Sequence, residues 1–256
     1  MDYVNYFAHP AAAERYAFAR PFFHPLALER IRSVCGGTGR PKPAVDIGCG
    51  TGQSSLALLE IADEVIGLDI SADMLAHAKQ HPRIHYLQGQ AEKMPFADTT
   101  FPLMTTALAF HWFEQARFMP EARRVLKPHG WLVIYNDGFA GQMIGNPQYE
   151  RWNREKYLER YPTPSRRNTS LTSAEITSFG FLLEGADEFS HNVEFEPAQL
   201  VAYLLTQTNV ISAVEQGSED VRSASERLLG SVCPFFGGIA RNFVFSCRIQ
   251  FLRRVQ

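Results

Sequence analysis

The chain has 256 residues, of which 45% are hydrophobic and 20% are charged, and its formal net charge is -2. This balance is typical of a globular protein with a sizeable core and excludes a disordered chain. A net charge near zero also removes the general attraction to phosphates on which nucleic-acid binders rely, so we expect a small-molecule ligand and no nucleic-acid partner.

The cysteines and the N-terminal residues indicate in which cellular compartment the protein is expected. The four cysteines form no C-x-x-C pair, which argues against a disulfide scaffold and a metal site. Residues 1–13 lack the basic and apolar regions of a signal peptide, and no apolar run reaches ~18 residues. We therefore predict a cytoplasmic protein with no membrane partner; no pattern in the sequence indicates its oligomeric state.

Short strands alternate with helical segments from Ala44 onward. The predicted strands cover residues 44–48, 64–69, 83–89, 103–110 and 131–136, and helical spacing marks residues 51–62, 71–80 and 116–126. This alternation predicts an α/β fold with a mainly parallel sheet and crossover helices on both of its faces.

The pattern changes after Tyr135. Residues 138–170 contain no predicted strand and are rich in aromatic residues, arginine and proline, so we interpret them as part of a helical cap. A strand near 188–195, helices near 198–215 and 219–229, and a strand near 242–251 follow. We predict one domain over residues 1–256, with a core at about 30–137, a cap from 1–29 and 138–186, and C-terminal sheet and helices at 187–256.

The most informative motif is AVDIGCGTG at residues 44–52, where a strand carrying Asp46 runs into glycines at alternate positions, Gly48, Gly50 and Gly52. Glycine removes the side chains that would keep a ligand away from a strand-to-helix turn. The following helix is expected to begin near Thr51, and its amides and positive dipole end suit an anionic group.

A second strand end supports the same site. The next strand ends at Asp69, whose carboxylate can accept hydrogen bonds from both hydroxyls of a ribose. A nicotinamide dinucleotide site is disfavoured, because it requires G-x-G-x-x-G and this loop has G-x-G-x-G.

The sequence resembles the class I S-adenosylmethionine-dependent methyltransferases, and within them the small-molecule branch that includes trans-aconitate and juvenile-hormone-acid methyltransferases. The resemblance rests on VDIGCGTGQSS (45–55), VIGLDISADML (65–75), QGQAEKMPFADTTFPLM (88–104), ALAFHWF (107–113) and EARRVLKPHGWLVIY (121–135). It implies a Rossmann-like fold with a mainly parallel seven-stranded sheet, and S-adenosylmethionine as the cofactor.

The resemblance also implies roles for individual residues. The glycine loop with Asp46 holds the methionine part of the cofactor, Asp69 holds the ribose, and Ile70 and Met74 lie against the adenine. The remaining implied cofactor-binding residues are Gln90, Ala91 and Glu92 at the adenine edge, and Tyr16 and Arg20 in an N-terminal segment that closes over the cofactor. Gln90 stands where the family usually has aspartate, and its carbonyl oxygen can still accept a hydrogen bond.

His111 and Trp112 are the candidate catalytic residues, because the resemblance places the strand ending at Phe110 beside the transferred methyl group. Transfer from a sulfonium is an in-line displacement that mainly requires positioning. His111 can act as a general base for a hydroxyl or as a hydrogen-bond donor to a carboxylate, which is ionised at neutral pH and needs no base.

We therefore expect O-methylation of a carboxylate or hydroxyl on a small molecule. The Asn- or Asp-Pro-Pro-aromatic motif typical of amine methylation on nucleic-acid bases does not occur in this region, which again favours a small substrate. Methylation of carbon or nitrogen in a small metabolite, and a non-catalytic protein that binds the cofactor, remain open alternatives.

Overall fold

A computed structural model describes residues 10–36, 40, 42–164 and 171–256. Its strands are β1 (Ala44–Ile47), β2 (Val65–Asp69), β3 (Ile84–Gln88), β4 (Phe101–Ala107), β5 (Leu126–Met143), β6 (Phe181–Phe195) and β7 (Arg241–Arg254). Its α-helices are α1 (Pro10–Ala19), α2 (His24–Cys35), α3 (Gln53–Leu58), α4 (Ala72–Ala76), α5 (Gln115–Val125), α6 (Pro147–Trp152), α7 (Leu158–Arg160), α8 (Ser173–Ser178), α9 (Pro197–Leu204), α10 (Thr208–Glu215) and α11 (Val221–Phe236). A 3₁₀ turn covers Phe110–Trp112, and a π-helical turn covers Asn153–Tyr157.

The strands form one seven-stranded sheet in the order β3-β2-β1-β4-β5-β7-β6. Strand β1 pairs in parallel with β2 and β4, β2 pairs in parallel with β3, and β4 with β5. All four residues of β1 are buried, which is typical of a central strand covered on both faces. Parallel order brings the carboxyl ends of β1 to β4 to the same edge of the sheet, where α/β folds bind their ligands.

The sheet is mixed, because β7 runs antiparallel. The amide of Ile144, just after β5, donates to the carbonyl of Asn242 near the start of β7. At the other end of β7 the amide of Val255 donates to the carbonyl of Gly180, just before β6. The prediction of a mainly parallel seven-stranded sheet is confirmed, and the antiparallel strand is a feature that the sequence pattern did not predict.

The chain forms two compact units. The first, called the core unit, comprises Phe22–Asp137, Arg166–Glu188 and Cys247–Gln256. Its hydrophobic core gathers strand residues such as Val45 and Met104 with the buried face of α5. That face carries Phe118, Met119, Ala122 and Val125, the spacing of an amphipathic helix.

The second unit comprises Met1–Pro21, Gly138–Ser165 and Phe189–Ser246. Its core is aromatic, and its buried rings are Tyr149, Tyr157, Tyr161, Phe195, Tyr203, Phe236, Phe243 and Phe245. Among the described residues of the chain, no helix combines the length and the apolar character needed to cross a bilayer.

The predicted cap boundaries need correction. Strand β5 continues to Met143 and β6 begins at Phe181, so the segment predicted as a cap, 138–186, includes the end of one strand and the start of another. These strands were missed because their alternation is interrupted by glycine and by charged residues, which weakens the period-two signal. Residues 1–9 and 165–170 of the predicted cap lie outside the described residues, and a helical cap stays a prediction.

Candidate functional site

The glycine loop follows β1 at the carboxyl edge of the sheet in the core unit. Gly48, Gly50 and Gly52 have φ values of 71°, 52° and 74°, which is the left-handed region that favours glycine. Helix α3 begins at Gln53 rather than near Thr51 and has only 6 residues. The macrodipole of so short a helix is small, so the loop amides matter more than the dipole in holding a ligand.

Close contacts with neighbouring protein atoms, and not only the space that a ligand needs, require glycine at two of these positions. A Cβ at Gly48 would lie 2.4 Å from the Cβ of Ala109, and one at Gly52 would lie 2.1 Å from the hydroxyl of Tyr86. A Cβ at Gly50 would lie 3.0 Å from the Cε of Met74. The glycine loop is therefore packed against neighbouring residues at alternate positions. A side chain at Gly48 or Gly52 would push the loop away from these residues.

Asp69 lies at the end of β2 and is tied to the glycine loop. One carboxylate oxygen accepts from the amide of Gly50 at 2.7 Å, and the other accepts from the amide of Ser71 at 2.8 Å. Burial raises the pKa of Asp69, and hydrogen bonds from the backbone amides of Ser71, Gly50 and Ile70 oppose the rise. A carboxylate has about four acceptor positions, so its backbone partners leave room for a hydroxyl of a ribose.

Asp46 is fully buried in the middle of the sheet. Its carboxylate accepts hydrogen bonds from Ser54 at 2.6 Å, Ser55 at 2.7 Å and Thr105 at 3.0 Å. Burial raises its pKa to about 6, although these three hydroxyls act in the opposite direction. Asp46 therefore connects β1 to α3 and to β4. These hydrogen bonds fix the strand before the glycine loop to the helix after it.

The expected adenine-binding residues follow β2 and β3. Ile70 is 38% exposed and stands directly after Asp69, whereas Met74 is buried in α4, whose N-cap is the predicted Ser71. Ala91 is buried and Gln90 is exposed, with the amide of Lys93 donating to the Gln90 carbonyl.

Glu92 has a structural partner. Its carboxylate accepts from the amide of Glu114 at 2.7 Å, just before α5. This bond links the segment after β3 to the start of α5, so the backbone around Ala91 is fixed.

Two residues of β3 that the sequence analysis did not single out support both loops. Tyr86 pairs with Gly67 of β2, and its ring crosses the glycine so closely that a Cβ there would be 2.7 Å from a ring carbon. Its hydroxyl donates to the carbonyl of Lys79 at 2.8 Å and lies against Gly52. The Gln88 amide donates to the carbonyl of Ile70 at 3.1 Å. Tyr86 and Gln88 lie on one face of the strand, because side chains alternate with a period of two.

The candidate catalytic residues lie on the 3₁₀ turn after β4. Leu108 has a φ of 56°, which is uncommon for a residue with a branched side chain. His111 is buried, and its ring centroid lies 4.6 Å from that of Trp112, which packs against the core. A left-handed leucine is a local strain of the kind found at functional sites.

Tyr16 and Arg20 belong to the second unit. The guanidinium of Arg20 donates to the carbonyl of Thr206 at 2.9 Å and lies over the rings of Tyr16 and Tyr203, 4.7 and 5.2 Å from their centroids. These contacts fix Arg20 within its own unit, and the cofactor role of Tyr16 and Arg20 stays a prediction.

The residues of the core unit fit S-adenosylmethionine. A carboxylate with spare acceptor capacity at Asp69 stands next to the exposed apolar side chain of Ile70. That order matches a nucleoside, in which a ribose with two hydroxyls is attached to a flat apolar base. The glycine loop, which is buried except at Gly48, lies on the other side of Asp69, and loops of this kind bind ligands through their backbone groups.

Comparison with known proteins agrees with this fit. The methyltransferase domain family matches residues 45–134, which include β1 to β4 and the site. A proposed type II methyltransferase from Anaeromyxobacter dehalogenans has the same fold, with a TM-score of 0.70 and 21% identity over 92% of this chain and 97% of that one.

Sequence relatives carry the same family name. A demethylmenaquinone methyltransferase of Chlorobaculum tepidum is 38% identical over 44% of this chain and 48% of that protein. An uncharacterized methyltransferase of Mycobacterium bovis is 31% identical over 64% of this chain and 69% of that protein. The chain spans 48% to 59% of the length of the first relatives that it matches. With the fold, the loop and these relatives taken together, the chain belongs to the S-adenosylmethionine-dependent methyltransferases.

Proposed function

We propose that this protein transfers the methyl group of S-adenosylmethionine to an oxygen of a small molecule, either a carboxylate or a hydroxyl. One observation carries the proposal. The glycine loop after β1, the carboxylate of Asp69 after β2 and the His111–Trp112 turn after β4 lie along one edge of one sheet. This edge offers cofactor-binding groups and a second set of polar and aromatic groups beside them.

Each group in the cofactor site has a proposed task. Asp69 binds the ribose hydroxyls, Ile70 and Met74 contact the adenine, and Gln90, Ala91 and Glu92 border its edge. The loop at Gly48, Gly50 and Gly52 holds the methionine part. Asp46 and the β3 residues Tyr86 and Gln88 are positioning residues, because they contact the loops that would contact the cofactor.

The bound cofactor supplies an electrophilic methyl group on sulfur. His111 and Trp112 then orient the acceptor for in-line attack, since an oxygen held ~3–3.5 Å from the methyl carbon needs little further help. A carboxylate acceptor is ionised at neutral pH, and the imidazole only donates a hydrogen bond to it. A hydroxyl acceptor loses its proton to the imidazole of His111 as the new bond forms.

A second candidate is methylation of a ring carbon. It is favoured by the demethylmenaquinone methyltransferase among the relatives, whose name describes a quinone substrate. That relative matches 44% of this chain, so the comparison supports a shared cofactor site more strongly than a shared substrate. We also propose that the chain belongs to the small-molecule branch to which its motifs are similar, because its net charge of -2 offers no general attraction to nucleic acid.

The test is methyl transfer from labelled S-adenosylmethionine to a panel of small carboxylic acids, phenols, quinols and amines, read by mass spectrometry. We expect a product that gains one methyl group on oxygen and its loss in the Asp69→Ala variant. Label on a ring carbon or on nitrogen contradicts O-methylation. Tight binding of S-adenosylhomocysteine without transfer to any acceptor indicates a protein that binds the cofactor without catalysis.

A further inference from the structure

A cavity of about 440 Å³ opens in the core unit at the amino edge of the sheet. Asp98 and Thr99 precede β4, Ser178 and Phe179 precede β6, and Arg254 ends the antiparallel β7. The other lining residues come from α5 and are Pro120, Arg123 and Arg124. Strand β4 has 7 residues and spans about 20 Å, so the cavity and the cofactor site lie at opposite ends of it.

Two arginines of this cavity form no ion pair with the residues that the structure describes. The ion pairs of the described residues include Arg124 but neither Arg123 nor Arg254. The Nε atoms of Arg123 and Arg254 are buried and have no hydrogen-bond partner among the described residues. The pKa of Arg254 is lowered by burial and then by the charge of Arg123, and the charge of Asp98 opposes this fall only in part.

The known contacts of these arginines are to main-chain oxygens. Arg123 donates to Gln256 at 2.9 Å, and Arg254 donates to the carbonyl of Leu126. Each guanidinium has five N–H donors, so most donors of both groups are left for another acceptor.

The third arginine belongs to the wall of the cavity. Arg124 donates to both oxygens of Glu121, to Asp98 and to the carbonyls of Phe96 and Met94. These bonds use all of its donors and fix the loop before β4. The side chain of Asp98 is 72% exposed, so it lies at the rim, where its negative charge weakens the attraction of an anion to the arginines.

We propose that this cavity is a second binding site, specific for a small molecule that carries a doubly charged oxyanion of the phosphate type. Arg123 and Arg254 bind the oxyanion through their planar N–H pairs, which match two oxygens of one phosphate. The positive charges of the two guanidinium groups attract such an anion, and the volume leaves room for an organic part of the ligand. The inference does not depend on the proposed methyl transfer.

The experiment titrates inorganic phosphate into the full-length protein by calorimetry, in chloride buffer of constant ionic strength. Arg254→Met and Arg123→Met are compared with Arg253→Met, which removes the same charge from the neighbouring residue. Arg253 is exposed and lies over the ring of Trp131, 5.4 Å from its centroid, and it does not line the cavity. Circular dichroism confirms that each variant is folded.

We expect Arg254→Met and Arg123→Met each to weaken phosphate binding about tenfold, and Arg253→Met to leave it within about twofold. Asp98→Asn removes the negative charge at the rim and is expected to tighten binding. Saturation with S-adenosylhomocysteine is expected to leave phosphate binding intact. Absent binding, equal affinity in the three arginine variants, or displacement of phosphate by S-adenosylhomocysteine overturns the proposal.

Discussion

Replacement of Asp69 by asparagine tests the cofactor site most directly. Asparagine has the same shape but only one acceptor oxygen and an NH₂ group, so the amide of Gly50 or of Ser71 loses its acceptor. The charge that would receive the ribose hydroxyls is also lost. A hydrogen bond to a charged group contributes about 1.5–3 kcal/mol, and water replaces part of it. We therefore expect a loss of about 2–4 kcal/mol in binding, which is a ~30- to 1000-fold rise in Kd.

The assay is calorimetric titration with S-adenosylhomocysteine, and the control is Asp73→Asn. Asp73 lies in the first turn of α4, four residues further along the chain, and its replacement removes the same charge near the same loop. The control is expected to bind within about threefold of the wild type. If Asp69→Asn also binds within that range, Asp69 does not hold the ribose and the reasoning fails.

Three further predictions concern Asp46, Tyr86 and His111. The pKa of Asp46 is raised from 3.8 to about 6 in the folded protein. The free energy of unfolding is therefore greatest below pH 3.8 and falls by about 3 kcal/mol as the pH rises through 6. Urea denaturation across this pH range should show the fall in unfolding free energy in the wild type and not in Asp46→Asn. The same pH dependence in both proteins would refute the prediction. The ring of Tyr86 supports the glycine loop, so Tyr86→Ala should weaken S-adenosylhomocysteine binding about tenfold, and Tyr86→Phe should weaken it less than about threefold. Equal losses of affinity in the two variants would contradict this role. His111→Ala should lower turnover by about 10²-fold with little change in cofactor affinity, and undiminished turnover would make His111 a packing residue.

The cofactor loop is the part of the site that local sequence determines. Alternate glycines after an apolar strand encode a turn that needs positive φ, and Gly48, Gly50 and Gly52 adopt it. Asp69 was identified because parallel neighbouring strands end at the same edge, a rule that requires only the alternation of strands and helices. Ser71 caps α4 as predicted, since a cap acts within one helical turn.

The role of Asp46 could not be obtained in this way. A carboxylate next to a glycine loop resembles a ligand-binding group in sequence, and the three hydroxyls that surround it come from α3 and β4. The role of Tyr86 could not be predicted from the sequence for a related reason. An aromatic residue in an edge strand is ordinary, and its importance comes from the register that sets it opposite Gly67.

By itself, the sequence determined the class of fold, the glycine loop and the acidic strand end, because each depends on residues within a few positions of one another. Only the tertiary structure decided that β7 lies antiparallel between β5 and β6, and that Arg123 and Arg254 line one cavity. Strand order and such pairings depend on contacts between residues far apart in the chain, such as Gly180 with Val255, and no local pattern specifies which distant segments will meet.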